Sequence, residues 1–324
     1  MEAQLLSRDL KAYLESCRKS EGKIHSVFKD ALNIQTANGE LISILTAGKD
    51  IEPMSALISA QPREMKGFYQ DDPVELSSKG ILFKNNNKWL SIEKSKVWHP
   101  EISIQGERHS IEAQKRCVED IKQKLVEEDL TIGLSPLIHY LTFNEGVQLL
   151  NKDSPALNEY CDFIQIRLYQ LLKALNDRHY DEALTLMPNF VGFGPGLTPS
   201  SDDLLAGILV SLVYEESMKE ASLREDQVLV FSKDVYEICV GKTTSVSEQM
   251  LKFASRGMVS EGYRNLIRSI FFKDQVPMHL RIETVLKHGA SSGSDFLFGV
   301  YCMNSIRLNR LKPIEPIPVK ECEE

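Results

Sequence analysis

The residues best able to do chemistry cluster in one segment, Asn189-Phe190-Val191-Gly192-Phe193-Gly194-Pro195-Gly196-Leu197-Thr198-Pro199-Ser200-Ser201-Asp202-Asp203-Leu204-Leu205-Ala206-Gly207. Gly192, Gly194 and Gly196 alternate with larger residues and remove Cβ atoms where backbone can approach a ligand. Thr198 is a good N-cap and Pro199 suits a first helical position, so the loop is expected to end on a helix N-terminus. Unpaired N–H groups and the dipole make such a terminus a place for an anion. Asp202 and Asp203 fall in the first turn of that helix. Acids there gain about 0.3–1 kcal/mol each, which accounts for both without a ligand. Two carboxylates beside an anion would also repel it unless a cation lies between them. Mg2+, which favours one or two carboxylates plus a phosphate ligand, resolves that conflict, with Asp202 and Asp203 as its expected ligands. A P-loop is excluded because no Gly-Lys-Ser/Thr follows the glycines, and a dinucleotide fold because no βαβ unit surrounds them.

The segment has an echo. Ser200-Ser201-Asp202-Asp203-Leu204-Leu205-Ala206-Gly207 aligns without gaps to Ser292-Gly293-Ser294-Asp295-Phe296-Leu297-Phe298-Gly299. Asp and Gly four apart share a helical face. Two such helices could cross closely at Gly207 and Gly299 and place Asp203 and Asp295 near a shared cleft. Packing at the glycines, with each Asp capping a facing loop, explains the same pattern. A third polar cluster, Gly241-Lys242-Thr243-Thr244-Ser245-Val246-Ser247, either caps a helix over 246–256 or donates hydroxyls to a phosphate or carboxylate. Glu248 and Glu261 either support helix starts or bind a cation.

These motifs need elements to position them. Residues 23–36 are rich in β-formers, and Asn38-Gly39 then precedes an alternating run over 40–46, a strong hairpin signal. A second pair runs over 80–84 and 88–92 around Asn85-Asn86-Asn87. A small β-barrel or sandwich is expected, preceded by one helix over 5–18. After His99-Pro100 the period changes. Ile111, Val118, Ile121 and Leu125 share one helical face. Further helices are expected over 156–175, 200–220, 225–240, 245–256, 259–271, 280–288 and 293–307, with an extended Pro-rich tail over 312–318. The expected fold class is α+β: a β-rich N-terminal domain over 1–105 and a larger, mostly α-helical domain over 106–324.

The chain has 324 residues, 42% hydrophobic and 26% charged, which suits a globular protein and excludes a disordered one. Its net charge of −8 argues against nucleic acid as a partner. The longest apolar run, over 204–214, is too short to span a bilayer, so no membrane is expected. Six scattered cysteines with no C-x-x-C pair, and no secretory signal pattern, point to reduced thiols and a cytoplasmic location.

The string Gly194-Pro195-Gly196-Leu197-Thr198-Pro199-Ser200-Ser201-Asp202-Asp203-Leu204-Leu205-Ala206-Gly207 resembles the signature G-P-G-L-T-P-S-G-D-D-x-L-x-G. That signature marks a bacterial family catalogued under a domain of unknown function, whose characterised branch is the AllH-type subunit of oxamate carbamoyltransferase. Thr243-Thr244-Ser245-Val246-Ser247 is similar to the family's T-T-x-I-S, and Ser291 to Gly299 to its T/S-S-G-x-D-x-L-x-G. One departure is Ser201, where the family has glycine. The resemblance implies transfer of a carbamoyl group between carbamoyl phosphate and oxamate in anaerobic allantoin or purine breakdown, with partner subunits and Mg2+. On that reading Gly194, Gly196 and the helix start hold phosphate. Thr198, Ser200, Ser201, Thr243, Thr244 and Ser292 add hydroxyls, Asp203 and Asp295 serve catalysis, and His288 is a candidate acid/base. Arg256, Lys242 and Arg281 are candidates for a substrate carboxylate. The alternatives are a non-catalytic anion-binding or assembly subunit, and a phosphotransferase using the same loop and Asp pair.

Overall fold

A computed structural model describes residues 1–17, 19–59, 65–128, 131–143, 146–149, 157–220 and 226–311. The tail expected over 312–318 lies outside them. Nine strands make one curled sheet, a half-barrel: β1 (Ala3–Ser7), β2 (Ser20–Val27), β3 (Ala31–Thr36), β4 (Leu41–Leu45), β5 (Ser55–Ile58), β6 (Pro73–Ser77), β7 (Gly80–Phe83), β8 (Lys88–Ser91) and β9 (Lys96–Trp98). Their spatial order is β8-β7-β6-β2-β3-β4-β5-β1-β9. The Asn38-Gly39 turn joins β3 to β4, with Gly39 at φ +85°. The asparagine turn joins β7 to β8, with Asn87 at φ +48°.

The chain opens differently from the helix expected from residue 5. Residues 3–7 form β1, which pairs antiparallel with β5 and parallel with β9. Pairing on both edges overrides a helical reading of so short a run. The helix α1 (Arg8–Ser16) starts after Ser7, whose Oγ accepts the Leu10 N–H at 3.3 Å. Leu10 and Leu14, four apart, are fully buried against the sheet.

Beyond β9 the chain is mostly helical: α2 (Ile111–Glu127), α3 (Glu159–Asn176), α4 (Tyr180–Leu186), α5 (Ser200–Ser217), α6 (Asp226–Cys239), α7 (Ser245–Ala254), α8 (Glu261–Phe271), α9 (Met278–Leu286) and α10 (Ser292–Arg310). A two-strand pair, β10 (Leu141–Thr142) with β11 (Gln148–Leu149), interrupts them. Sequence periodicity misses α4, which is two turns long and too short to show a period. α5 is buried on every side from Ser200 to Tyr214. A helix apolar all round belongs at the centre of a core, and α5 lies there, packed along α10. Among the described residues no helix is long and apolar enough to cross a membrane.

The sheet docks on the helices through specific bonds. The Leu41 N–H on β4 donates to Gln249 Oε1 of α7 at 2.7 Å, and Gln249 Nε2 returns a bond to the Leu41 carbonyl. Lys252 of α7 pairs with Glu40, and the first N–H of α8, from Glu261, donates to the Ile51 carbonyl at 2.9 Å. Phe253 and Met258 complete the apolar core of the sheet.

Candidate functional site

The glycine loop folds back on the start of α5. Gly192, Gly194 and Gly196 all have positive φ, +75°, +116° and +100°. At Gly192 the need is steric too, since a Cβ would sit 2.6 Å from the Lys242 carbonyl oxygen. Gly192 N–H donates to Asp202 Oδ1 at 2.8 Å, and Thr243 Oγ1 donates to Asp202 Oδ2. Asp202 therefore ties the loop to the turn before α7, and both its oxygens are used. The N-cap of α5 is Pro199, one residue later than expected, and makes no side-chain cap bond. Thr198 instead turns its hydroxyl to Ser292 Oγ, 2.9 Å away at the start of α10.

Ser201 accounts for its own departure from the family pattern. Its Oγ accepts the Phe193 N–H at 2.9 Å, and its N–H donates to the Phe193 carbonyl at 3.0 Å. The serine closes a clasp between loop and helix that glycine could make only from one side. Thr244 is also a cap. It donates to the Leu197 carbonyl and accepts the Ser247 N–H at 3.1 Å, as N-cap of α7. Thr244 thus caps α7, while the Thr243 hydroxyl is bound to Asp202 rather than to a helix end. Glu248, in the first turn of α7, accepts the N–H of Gly241, in the turn after α6, at 3.0 Å.

α5 and α10 cross at their glycines. A Cβ on Gly207 would lie 2.3 Å from the Phe296 carbonyl oxygen, and one on Gly299 would lie 2.2 Å from that of Leu204. This contact brings Asp203 and Asp295, one turn before each glycine, close enough to disfavour each other's charge. Asp295 Oδ1 accepts the N–H groups of Leu134 at 2.6 Å and Ser135 at 3.1 Å, so it caps the facing loop. Burial pushes its carboxyl up to about 6, against those hydrogen bonds. Asp203 is 2% exposed, and its Oδ2 has no hydrogen-bond partner. Burial first, then Asp295, hold Asp203 well above the usual carboxylate range, with the Ser292 and Thr198 hydroxyls working the other way.

Asp203 forms part of the wall of a cavity of about 320 Å3 between the curled sheet and the helices. Thr198, Ser292, His288, Tyr263 and Ser260 line it from the helical side, and Lys49, Asp50 and Glu52 from the sheet. His288 Nε2 lies 3.5 Å from Asp50 Oδ2, and its Nδ1 lies 3.2 Å from the Thr284 and Val285 carbonyls. The Tyr263 ring stacks on Phe296 at 3.8 Å between centroids. Burial raises the Glu52 carboxyl as well. Four residues singled out in the sequence thus meet here: Thr198, Asp203, Ser292 and His288. Asp295 stands behind the wall, and Gly194 and Gly196 lie outside the cavity lining. Tyr263, Asp50, Glu52 and Lys49 carry no motif, and only the docking of the sheet brings three of them to the site.

The fold sets the acidic and the basic candidates apart. Asp202 and Asp203 do not converge on one metal ion. They are consecutive on α5, about 100° apart around the helix axis, and Asp202 is committed to Gly192 and Thr243. Among the described residues no group of three His, Cys, Asp or Glu side chains is placed to hold a metal. The basic residues expected to meet a substrate carboxylate do not gather either. Arg281 pairs with Asp274 at 2.7 Å, away from the cavity, and Lys242 and Arg256 are exposed outside its lining.

Fold and site together define an α+β protein with a mainly apolar cavity, carrying a few carboxyl and hydroxyl groups, between a half-barrel sheet and a helical core. The family described as oxamate carbamoyltransferase subunit AllH matches residues 190–304, and the AllH family N-terminal domain matches residues 2–97. The chain belongs to the AllH family. No solved structure matches it.

Proposed function

We propose that this chain is the substrate-holding subunit of an oxamate carbamoyltransferase, working within a multi-subunit complex. The reaction moves a carbamoyl group between carbamoyl phosphate and oxamate, and in the reverse direction phosphate attacks oxalurate. The observation that carries the reading is Asp203. It is a buried carboxyl with one unpaired oxygen, in the wall of a cavity that also includes Thr198 from the glycine loop. The N–H groups of Gly194, Gly196 and Thr198 make no hydrogen bond within the described residues, so they are free to receive phosphate at the loop. Carbamoyl transfer passes through a tetrahedral oxyanion, which needs fixed donors. In the Thr198–Ser292 pair one hydroxyl donates to the other, which leaves at most one hydroxyl proton for that role.

The test is a thermal-shift panel on the chain and on its assembled complex: phosphate, carbamoyl phosphate, oxamate and ATP, each with and without Mg2+. A ligand at about 100 times its Kd stabilises by about 2.7 kcal/mol. Shifts with carbamoyl phosphate or oxamate, lost in Asp203→Asn, support the reading. A shift with ATP alone would favour a phosphotransferase, and no shift with any ligand would leave the chain an assembly subunit.

A further inference from the structure

Three residues of the cavity lining, Asp203, Asp50 and Ser260, each carry a buried side-chain oxygen without a hydrogen-bond partner among the described residues, and the Tyr263 hydroxyl makes no hydrogen bond there either. Asp203 Oδ2 is buried and has no donor. Tyr263 is 9% exposed, lines the same cavity, and its hydroxyl has no hydrogen-bond partner among the described residues. The Tyr263 ring is fixed between Phe296, at 3.8 Å, and the His288 ring, at 5.0 Å. Its hydroxyl is thus held in place before any ligand arrives. Leaving a buried oxygen such as Asp203 Oδ2 unpaired is costly in a native protein unless a ligand satisfies it.

We infer that Asp203 and Tyr263 form a donor–acceptor pair that reads a planar, uncharged primary amide, the amino-carbonyl group shared by carboxamides and ureido compounds. Asp203 Oδ2 accepts an amide N–H, and the Tyr263 hydroxyl donates to the amide oxygen. This inference rests on the reading of the cavity as the substrate site and adds which end of the substrate enters it.

The surrounding charges support an uncharged group. Burial first, then Asp203, Asp295, Glu52 and Asp50, hold the Tyr263 hydroxyl well above the ordinary phenol range, so it stays a donor. A second carboxylate would enter among three acids of the lining, Asp50, Glu52 and Asp203. Lys49 is the one Lys or Arg side chain in the lining among the described residues, and it is exposed at the sheet side. A ligand with an amide at one end and a carboxylate at the other would therefore enter amide first, its charge left toward Lys49. Oxamate has that form.

Three probes of nearly equal size separate the possibilities: oxamate, with one amide and one carboxylate; oxamide, with two amides; and oxalate, with two carboxylates. Their affinities for the full chain, alone and in its complex, are measured by calorimetry. Oxamate and oxamide are expected to bind, with oxalate about a hundredfold weaker, because a site built for N–H donors rejects an analogue lacking them. Tyr263→Phe keeps the stacked ring and should weaken oxamate about tenfold, closing the gap to oxalate. Asp203→Asn, which keeps the shape, should also weaken oxamide. Oxalate binding as well as oxamate, with Tyr263→Phe without effect, would overturn the amide inference while leaving the cavity as the binding site. No binding of any probe to chain or complex would overturn the cavity assignment and the inference with it.

Discussion

Replacing Gly207 by alanine sets two effects of opposite sign against each other. Inside a helix, glycine to alanine is favourable by about 1 kcal/mol, and α5 would gain that. The new Cβ, however, would stand 2.3 Å from the Phe296 carbonyl oxygen and 3.0 Å from the Val300 nitrogen. A carbon and a carbonyl oxygen approach no closer than about 3.3 Å, so α5 and α10 must part by about 1 Å. Both atoms belong to backbone in mid-helix, so no side chain can turn aside. Overpacking of this kind costs about 1–3 kcal/mol, and here it also loosens the contact on which the core is built. The expected net loss is about 2 kcal/mol, the upper end of the overpacking cost less the helix gain. Gly299→Ala meets the mirror-image obstacle, the Leu204 carbonyl oxygen at 2.2 Å. Since one separation relieves both clashes, the double variant should lose about 1 kcal/mol less than the sum of the singles. Urea unfolding of the four proteins reads these numbers directly. If Gly207→Ala were as stable as the parent or more so, or if the two losses simply added, the close crossing would not govern this core.

Other consequences follow from single groups. The folded-state pKa of Asp295 lies at about 6, above its unfolded value, so its contribution to stability is largest below about pH 4 and is lost as pH rises through 6. The fall amounts to about 3 kcal/mol, and Asp295→Asn, which keeps an acceptor for Leu134 and Ser135, should flatten it in urea midpoints taken from about pH 4 to 7.5; an unchanged profile would assign the pH dependence elsewhere. Thr243→Val removes a donor from the buried Asp202 and should cost about 1–3 kcal/mol, with Thr243→Ser recovering most of it; equal stabilities across the three would show the bond to be idle. Gly133→Ala and Gly196→Ala share a positive φ, yet a Cβ at 133 meets both Asp295 oxygens at 2.6 Å, while one at 196 meets nothing nearer than 3.8 Å. The first should lose clearly more in melting temperature than the second, whose backbone strain alone is about 1–3 kcal/mol, and the reverse order would contradict the placement of Asp295.

Local patterns alone were enough to determine much of this protein. The Asn38-Gly39 hairpin, the helices with regular apolar spacing and the glycine loop leading into α5 all follow from short-range preferences that need no partner. The gapless echo between the two Ser-Asp-Gly segments was sufficient to anticipate the crossing at Gly207 and Gly299, because a glycine one turn after an Asp is a packing notch in any helix. Tertiary structure decided the rest. Residues 3–7 became a strand because β5 and β9 lie on either side of them. Asp202 and Asp203, alike in sequence, went to different tasks because a helix turns about 100° per residue and only one of them faces the cavity. Lys49, Asp50 and Glu52 gained their place from the sheet docking on α7 and α8, a contact between residues some two hundred positions apart. No local pattern records which distant surfaces will meet, so the chemistry of the cavity exists only once the two parts of the chain are packed together.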